Sequence, residues 1–260
     1  MVEQNLTTIS REYYEEVVNR DRQTDVLYAA NRIIRKISKL RTPKEGETIL
    51  DIGCGTGVVT AAFSKLGFKA IGVDVVPEFI HVAQKDNPAI RYFVGAAEDL
   101  PFPDEEFDYI TLSSLLEHVQ DWRKTLREAA RVLRPNGVLV LNTTGRFCPV
   151  QNEIRYIYGF GYLPSFIQRS IYSLVMKYRP QMVGHTHLPA YHWFYYGQLA
   201  REIEKLNMYS FNWLELMTEE DFPPGYEKYA RLIMFLIHLP VPLHYFLFPG
   251  TVIVAQKRFR

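Results

Sequence analysis

A chain of 260 residues and 30.3 kDa suits one large globular domain, or one domain carrying a sizeable insertion. Thirty Lys and Arg against 29 Asp and Glu leave a formal charge of +1, so no global basic field is available for nucleic acid. A hydrophobic share of 47% with 23% charged residues excludes disorder, and two cysteines, Cys54 and Cys148, exclude a disulfide framework. MVEQNLTTISREYYEE has no apolar signal segment, which with the cysteine count predicts a cytoplasmic protein.

Residues 1–44 read as two helices. SREYYEEVVNRD has Ser10 at its N-cap position, and TDVLYAANRIIRKISKL repeats apolar residues at helical spacing. Over 45–148 short apolar runs alternate with helical patterns. ETILDIGCG, FKAIGVD, IRYFVGA, FDYITLSS and VLVLNTT are the strands; VVTAAFSKLG, PEFIHVAQKD and DWRKTLREAARVL are the helices. That alternation predicts a mostly parallel sheet with helices on both faces, its strands buried on both sides. Residues 149–192 break the rhythm with an aromatic-rich stretch that reads as a helical insertion. In 193–260 the alternation resumes with the helix YYGQLAREIEKLN and the strand YSFNWLELM. A second apolar insertion then precedes the terminal strand GTVIVAQKR, whose pairing with its predecessor should be antiparallel. Leu232 to Phe248 falls short of the roughly 20 apolar residues of a spanning helix, and Pro240 and Pro242 interrupt it. Buried helices or a pocket wall are expected there, with peripheral membrane contact as the alternative.

The chemistry concentrates in Asp51-Ile52-Gly53-Cys54-Gly55-Thr56-Gly57, where the first strand runs into its helix. Glycines at such a turn let the backbone approach a ligand, and helix N-terminal amides point at it. Asp74 ends the second strand, where a carboxylate can accept hydrogen bonds from ribose hydroxyls. Asp51 would repel a pyrophosphate but suits S-adenosylmethionine (SAM), which carries an amino group and a sulfonium. Val58 stands where a dinucleotide fingerprint wants its third glycine, and G-x-x-x-x-G-K-[ST] is absent. A nicotinamide-dependent dehydrogenase and a P-loop NTPase are both disfavoured.

These residues resemble the motifs of the class I SAM-dependent methyltransferases. Asp51 to Gly57 looks like their first motif, and Gly72-Val73-Asp74 resembles the acidic second. Gly95 to Phe102 is similar to the third-strand loop along adenine. Phe107-Asp108-Tyr109-Ile110 with Leu116-Glu117-His118-Val119 resembles the fourth strand and its exit, and Arg131 to Gly137 the turn before the fifth. The similarity covers about residues 45–145 and is strongest to the branch holding the ubiquinone and menaquinone biosynthesis methyltransferases. It implies a Rossmann-like seven-stranded sheet with its last strand antiparallel, SAM as cofactor, and helical insertions forming a substrate lid. By position it places Asp51, Gly53 and Gly55 against the methionine end, Asp74 against ribose, and Gly57 among the cofactor-binding residues. Val75, Ala97 and Glu98 then border adenine, and Ser113 faces the methionine part or the reaction centre. Tyr13 and Tyr14 become candidate lid residues.

Methyl transfer to a hydroxyl benefits from a base that titrates near neutrality, so histidine is the natural candidate. His118 at the strand-four rim and His187 in Gly184-His185-Thr186-His187-Leu188-Pro189-Ala190-Tyr191-His192-Trp193 are the candidates. His185 and His192, with Tyr158 and Tyr162 of the insertion, are candidate acceptor contacts. No zinc spacing is recognisable among these histidines, so no metal is expected. The insertion's apolar character points to a small hydrophobic or aromatic acceptor. Oxygen is the first expectation for the methylated atom; carbon of a quinone-type or lipid-like acceptor is the second. A SAM-binding regulatory protein without methyl transfer has the same motifs. Nothing in the sequence speaks to oligomeric state.

Overall fold

The computed structural model describes residues 25–146, 159–179, 191–222 and 250–259, together with positions 15, 17, 19, 154, 157, 182, 230, 234 and 235. Seven strands form one sheet: β1 Thr48–Ile52, β2 Lys69–Asp74, β3 Arg91–Val94, β4 Phe107–Ser113, β5 Leu133–Thr144, β6 Met208–Asn212 and β7 Gly250–Lys257. Their order is β3-β2-β1-β4-β5-β7-β6. β1 to β5 pair in parallel, while β7 runs antiparallel to both β5 and β6. The expected seven-stranded, mostly parallel sheet with an antiparallel last strand is what the chain forms.

The helices with described bounds are α1 Val26–Ser38, α2 Val58–Lys65, α3 Pro77–Asp86, α4 Trp122–Val132, α5 Ser165–Tyr178, α6 Tyr196–Glu204 and α7 Trp213–Leu216. Local chemistry sets their starts. Asp25 accepts from the Tyr28 amide and Asp121 from the Lys124 amide, and Pro77 takes a first-turn position where no backbone donor is needed.

Successive side chains on a strand point to opposite faces, so the sheet builds two cores. On one face Ile49, Tyr109, Val140 and Val254 pack with Ala30 and Ile37 of α1 and Phe63 of α2. On the other, Leu50, Ile52, Ile110 and Leu112 pack with Leu126 and Ala129 of α4 and Leu199 and Ile203 of α6. Strand order reverses between β1 and β4, and a crevice at such a reversal is where open α/β sheets bind ligands.

Two boundaries depart from the sequence reading. β5 begins at Leu133, five residues before the VLVLNTT run, because Leu133 already pairs with Phe107 ahead of a bulge. The strand expected through YSFNWLELM stops at Asn212. There the Asn212 side chain accepts from the Leu214 amide and the Glu215 carboxylate accepts from the Asn212 amide, a capping box that turns Trp213–Leu216 into a helix. Among its described residues the insertion holds a 3-10 turn at Phe160–Tyr162 and helix α5. Tyr13, Tyr14 and Cys148 lie outside the described residues, as does all of Leu232 to Phe248 except Met234 and Phe235. Among the described residues no helix is long and apolar enough to cross a membrane.

Candidate active site

The turn from β1 into α2 holds three left-handed glycines, with φ of 74° at Gly53, 54° at Gly55 and 75° at Gly57. The amides of Gly53 and Cys54 both donate to the Val73 carbonyl, at 2.8 and 3.1 Å, which ties the turn to β2. A Cβ on Gly57 would lie 2.6 Å from the Tyr92 ring and 2.8 Å from the Ala83 methyl, so a side chain there is excluded by packing. A Cβ on Gly55 would meet nothing within 4 Å, so that position is open to a ligand and glycine serves its backbone angle alone. Tyr92 is the buttress, because its hydroxyl donates to the Gly57 carbonyl at 3.2 Å.

Two carboxylates flank this turn. Asp51 is buried, and its Oδ2 accepts from the Thr60 hydroxyl at 2.6 Å. Burial pushes its carboxyl up to about 6; the Thr60 bond opposes that and the Asp74 charge adds to it. Asp74 accepts from the Gly55 amide at 2.9 Å and from the Val76 amide at 2.9 Å. Burial raises Asp74 as well, against the pull of those amides. Each carboxylate oxygen keeps a further acceptor site, so the amide bonds do not exclude ribose hydroxyls. Cys54 fills the space under Gly72, and burial beside the two carboxylates pushes its thiol well above the ordinary range. It is packing, with no thiolate to offer.

Across the crevice, β4 ends in the exposed Ser113 and then Ser114, whose φ of 51° is rare for a non-glycine residue. The Ser114 amide donates to the Asn142 carbonyl, and the Leu115 side chain covers Gly53. Glu117 is buried, and its carboxylate accepts from the Thr143 hydroxyl at 2.6 Å. His118 follows, half-buried, on the same rim. Ala97 is buried among Leu100, Ile52 and Leu112. Val75 packs with Val76 and Phe79. The Glu98 carboxylate accepts from the amides of Gln120 and Asp121, linking the loop after β3 to the loop after β4.

The insertion is tied to this rim at its neck. The Glu117 carbonyl accepts from the amides of Tyr191 and His192, the Arg146 amide donates to the Phe194 carbonyl, and Gly145 bridges to Phe194. His192 Nε2 lies 3.1 Å from the Val119 carbonyl, and burial lowers its basicity. His192 therefore clamps the neck, a contact its sequence context does not reveal. Tyr162 is exposed. Tyr158, His185 and His187 lie outside the described residues. Among the described residues, no group of three or more His, Cys, Asp and Glu is placed to hold a metal ion.

Sequence reasoning missed four contributors: Thr60, Tyr92, Glu117 and Thr143. Glu117 was within a quoted motif, but only its contact with a residue 26 positions away shows it as a buried carboxylate at the rim.

The residues present fit a cationic nucleotide ligand. The buried Asp51 and the half-buried Asp74 flank an open glycine turn, and among the described residues the groups that shift Asp51 are the Thr60 hydroxyl and the Asp74 anion. Comparison with known proteins agrees. Residues 50–141 match the family model described as a methyltransferase domain. The chain is 43% identical over 98 residues to an uncharacterized methyltransferase, YcgJ, of Bacillus subtilis, covering 36% of this chain and 39% of that one. It is 38% identical over 108 residues to a ubiquinone biosynthesis O-methyltransferase of Azorhizobium caulinodans, covering 40% and 43%. It is 36% identical over 139 residues to a demethylmenaquinone methyltransferase of Staphylococcus saprophyticus, covering 51% and 60%. The chain thus matches less than two thirds of the length of these relatives. The crystal structure of YcgJ superposes with a TM-score of 0.54 at 22% identity, over 90% of this chain and 99% of that one, which shows the shared fold. Residues 50–141 thus resemble a methyltransferase domain in sequence, and the chain shares the fold of YcgJ.

Proposed function

We propose that this protein transfers a methyl group from SAM to a small hydrophobic or aromatic acceptor, at oxygen in the first instance. The observation that carries the reading is the pair Asp51 and Asp74 beside an open glycine turn, anionic groups that a cationic ligand would neutralise. SAM supplies an electrophilic methyl on a positively charged sulfur. Asp51, Gly53, Gly55 and Gly57 would hold its methionine end, Asp74 its ribose, and Val75, Ala97 and Glu98 the adenine side. Ser113 and His118 face the crevice from the opposite rim, where His118 would take the proton of an acceptor hydroxyl. His187 is the second candidate for that role. Tyr158, Tyr162, His185 and His192 belong to the insertion or its neck and would border the acceptor. The chain's main task is to align an acceptor and exclude water, since the displacement itself needs little covalent help.

Methylation at carbon of a quinone-type ring is the second reading. It is favoured by the similarity to a protein named demethylmenaquinone methyltransferase, against one named for O-methylation in ubiquinone biosynthesis.

Calorimetry with S-adenosylhomocysteine and with NAD tests the cofactor; a preference for NAD would overturn the proposal. Incubation with methyl-labelled SAM and matched phenolic, hydroquinone and polar acceptors tests the rest. Label on a hydroxyl oxygen supports O-methylation, and label on a ring carbon of the hydroquinone, which gives up its proton, supports the second reading. Turnover of polar acceptors alone would refute the acceptor class, and tight SAM binding without transfer to any metabolite extract would mark a regulatory binder.

A further inference from the structure

Helix α5 presents to solvent a face that a soluble lid does not need. Phe166, Leu174 and Tyr178 are 71%, 57% and 65% exposed. Their spacing puts them on one side of the helix with Arg169 and Lys177, which are also exposed. The opposite side holds the buried Gln168 and Tyr172, and Ile171 and Val175 pack there with Phe160 and Trp193. Three large apolar side chains along a 14-residue helix make a patch of the kind that marks an interaction site.

Charge identifies the occupant. From Ile154 to Arg201 the chain has no Asp or Glu but five cations, Arg155, Arg169, Lys177, Arg179 and Arg201. The whole chain is only +1, so the remainder is net negative and the basic charge is gathered into this stretch. Exposed Phe166, Leu174 and Tyr178 on a helix whose charged residues are Arg169 and Lys177 alone match the surface of an anionic bilayer. Rings and aliphatic chains enter the headgroup layer while guanidinium and ammonium groups meet phosphates. A protein partner of ordinary mixed charge gives no reason for 48 residues without one acid.

We propose that α5 is a membrane-docking element, seating Phe166, Leu174 and Tyr178 in the headgroup region of an anionic phospholipid bilayer with Arg169 and Lys177 on the phosphates. The neck of the insertion is bonded to Glu117 and Gly145, so docking brings the β4–β5 rim to the lipid surface. A water-insoluble acceptor then reaches the crevice without crossing bulk water. The docking goes beyond the methyl-transfer reading and is tested by binding, so either can fail alone.

The test is co-sedimentation of the full chain with equimolar phosphatidylglycerol and phosphatidylcholine vesicles, against pure phosphatidylcholine. Partition to the anionic vesicles is expected, and it should fall steeply as salt approaches ~1 M, where the Debye length is about 3 Å. The double variant Arg169→Glu, Lys177→Glu should bind at least ~20-fold more weakly, from roughly fivefold per cation. Phe166→Ser with Leu174→Ser should also weaken partition. Both variants should keep wild-type affinity for S-adenosylhomocysteine, which shows that they are folded. Should a variant fail to fold, the salt and lipid dependence of the wild type decides. Absence of partition to anionic vesicles, or equal partition to neutral ones, would overturn the proposal. So would a lipid-independent dimer that Phe166→Ser dissociates, because the face would then belong to a second copy.

Discussion

Replacing Asp51 with Asn should make the ligand-free protein more stable while removing its affinity for SAM. The Asp51 carboxyl titrates at about 6 instead of 3.8 because burial opposes its charged form. Above both values the folded state must keep an anion that the unfolded chain keeps in water. A difference of about two pK units costs roughly 3 kcal/mol of stability near neutral pH. Asn has the same shape, leaves an oxygen for Thr60 and carries no charge, although its amide nitrogen must also be accommodated. A net gain of about 1–3 kcal/mol is expected at about pH 7.5, which corresponds to a Tm rise of roughly 2–10 °C for a chain of this size. Because the folded pKa is raised, the cost is absent below about pH 4 and grows as pH rises through 4 to 6. The advantage of the variant should therefore fall to about half at about pH 5. Thermal unfolding of both proteins at the two pH values measures this. In parallel, S-adenosylhomocysteine should raise the Tm of the wild type and not of the variant. Wild-type affinity for SAM should weaken as pH drops below about 6, since protonation removes the anion that attracts the ligand. An Asn variant less stable than wild type near neutrality, or a gain that ignores pH, would refute the assignment of an electrostatically costly, ligand-directed carboxylate.

Other perturbations probe the remaining parts. Gly57→Ala forces a Cβ into the Tyr92 ring and the Ala83 methyl at a φ of 75°, so denaturant unfolding should show a loss of about 2–4 kcal/mol; unchanged stability would contradict the close packing. Asp74→Ala leaves the Gly55 and Val76 amides without their acceptor and removes the ribose contact, so calorimetry should show S-adenosylhomocysteine binding about 10- to 100-fold more weakly. His118→Ala should lower kcat more than cofactor affinity. Unaltered kcat would move the base to Glu117 or to His185, His187 or His192.

The glycine turn was legible because its requirements are local. Positive φ at residues 53, 55 and 57 favours glycine at those positions, and a carboxylate at the end of β2 lies beside the turn in any parallel β1–β2 pair. The strand–helix alternation was legible for the same reason, since burial on both faces writes itself as continuous apolar runs. Asn212 shows where such reading fails: Trp213 and Leu214 suit a strand, but a capping box formed with Glu215 stops it.

By itself, then, the sequence determined the sheet class, the nucleotide turn and the charge type of its ligand, all of which depend on residues near one another in the chain. Tertiary structure alone decided that β7 inserts between β5 and β6, that Tyr92 braces Gly57 from 35 positions away, and that Thr143 pairs with Glu117. It also decided that His192 clamps the insertion to the β4 rim. These contacts join segments far apart in the chain, and their geometry follows from how helices settle on the sheet. No local pattern of residue types encodes that.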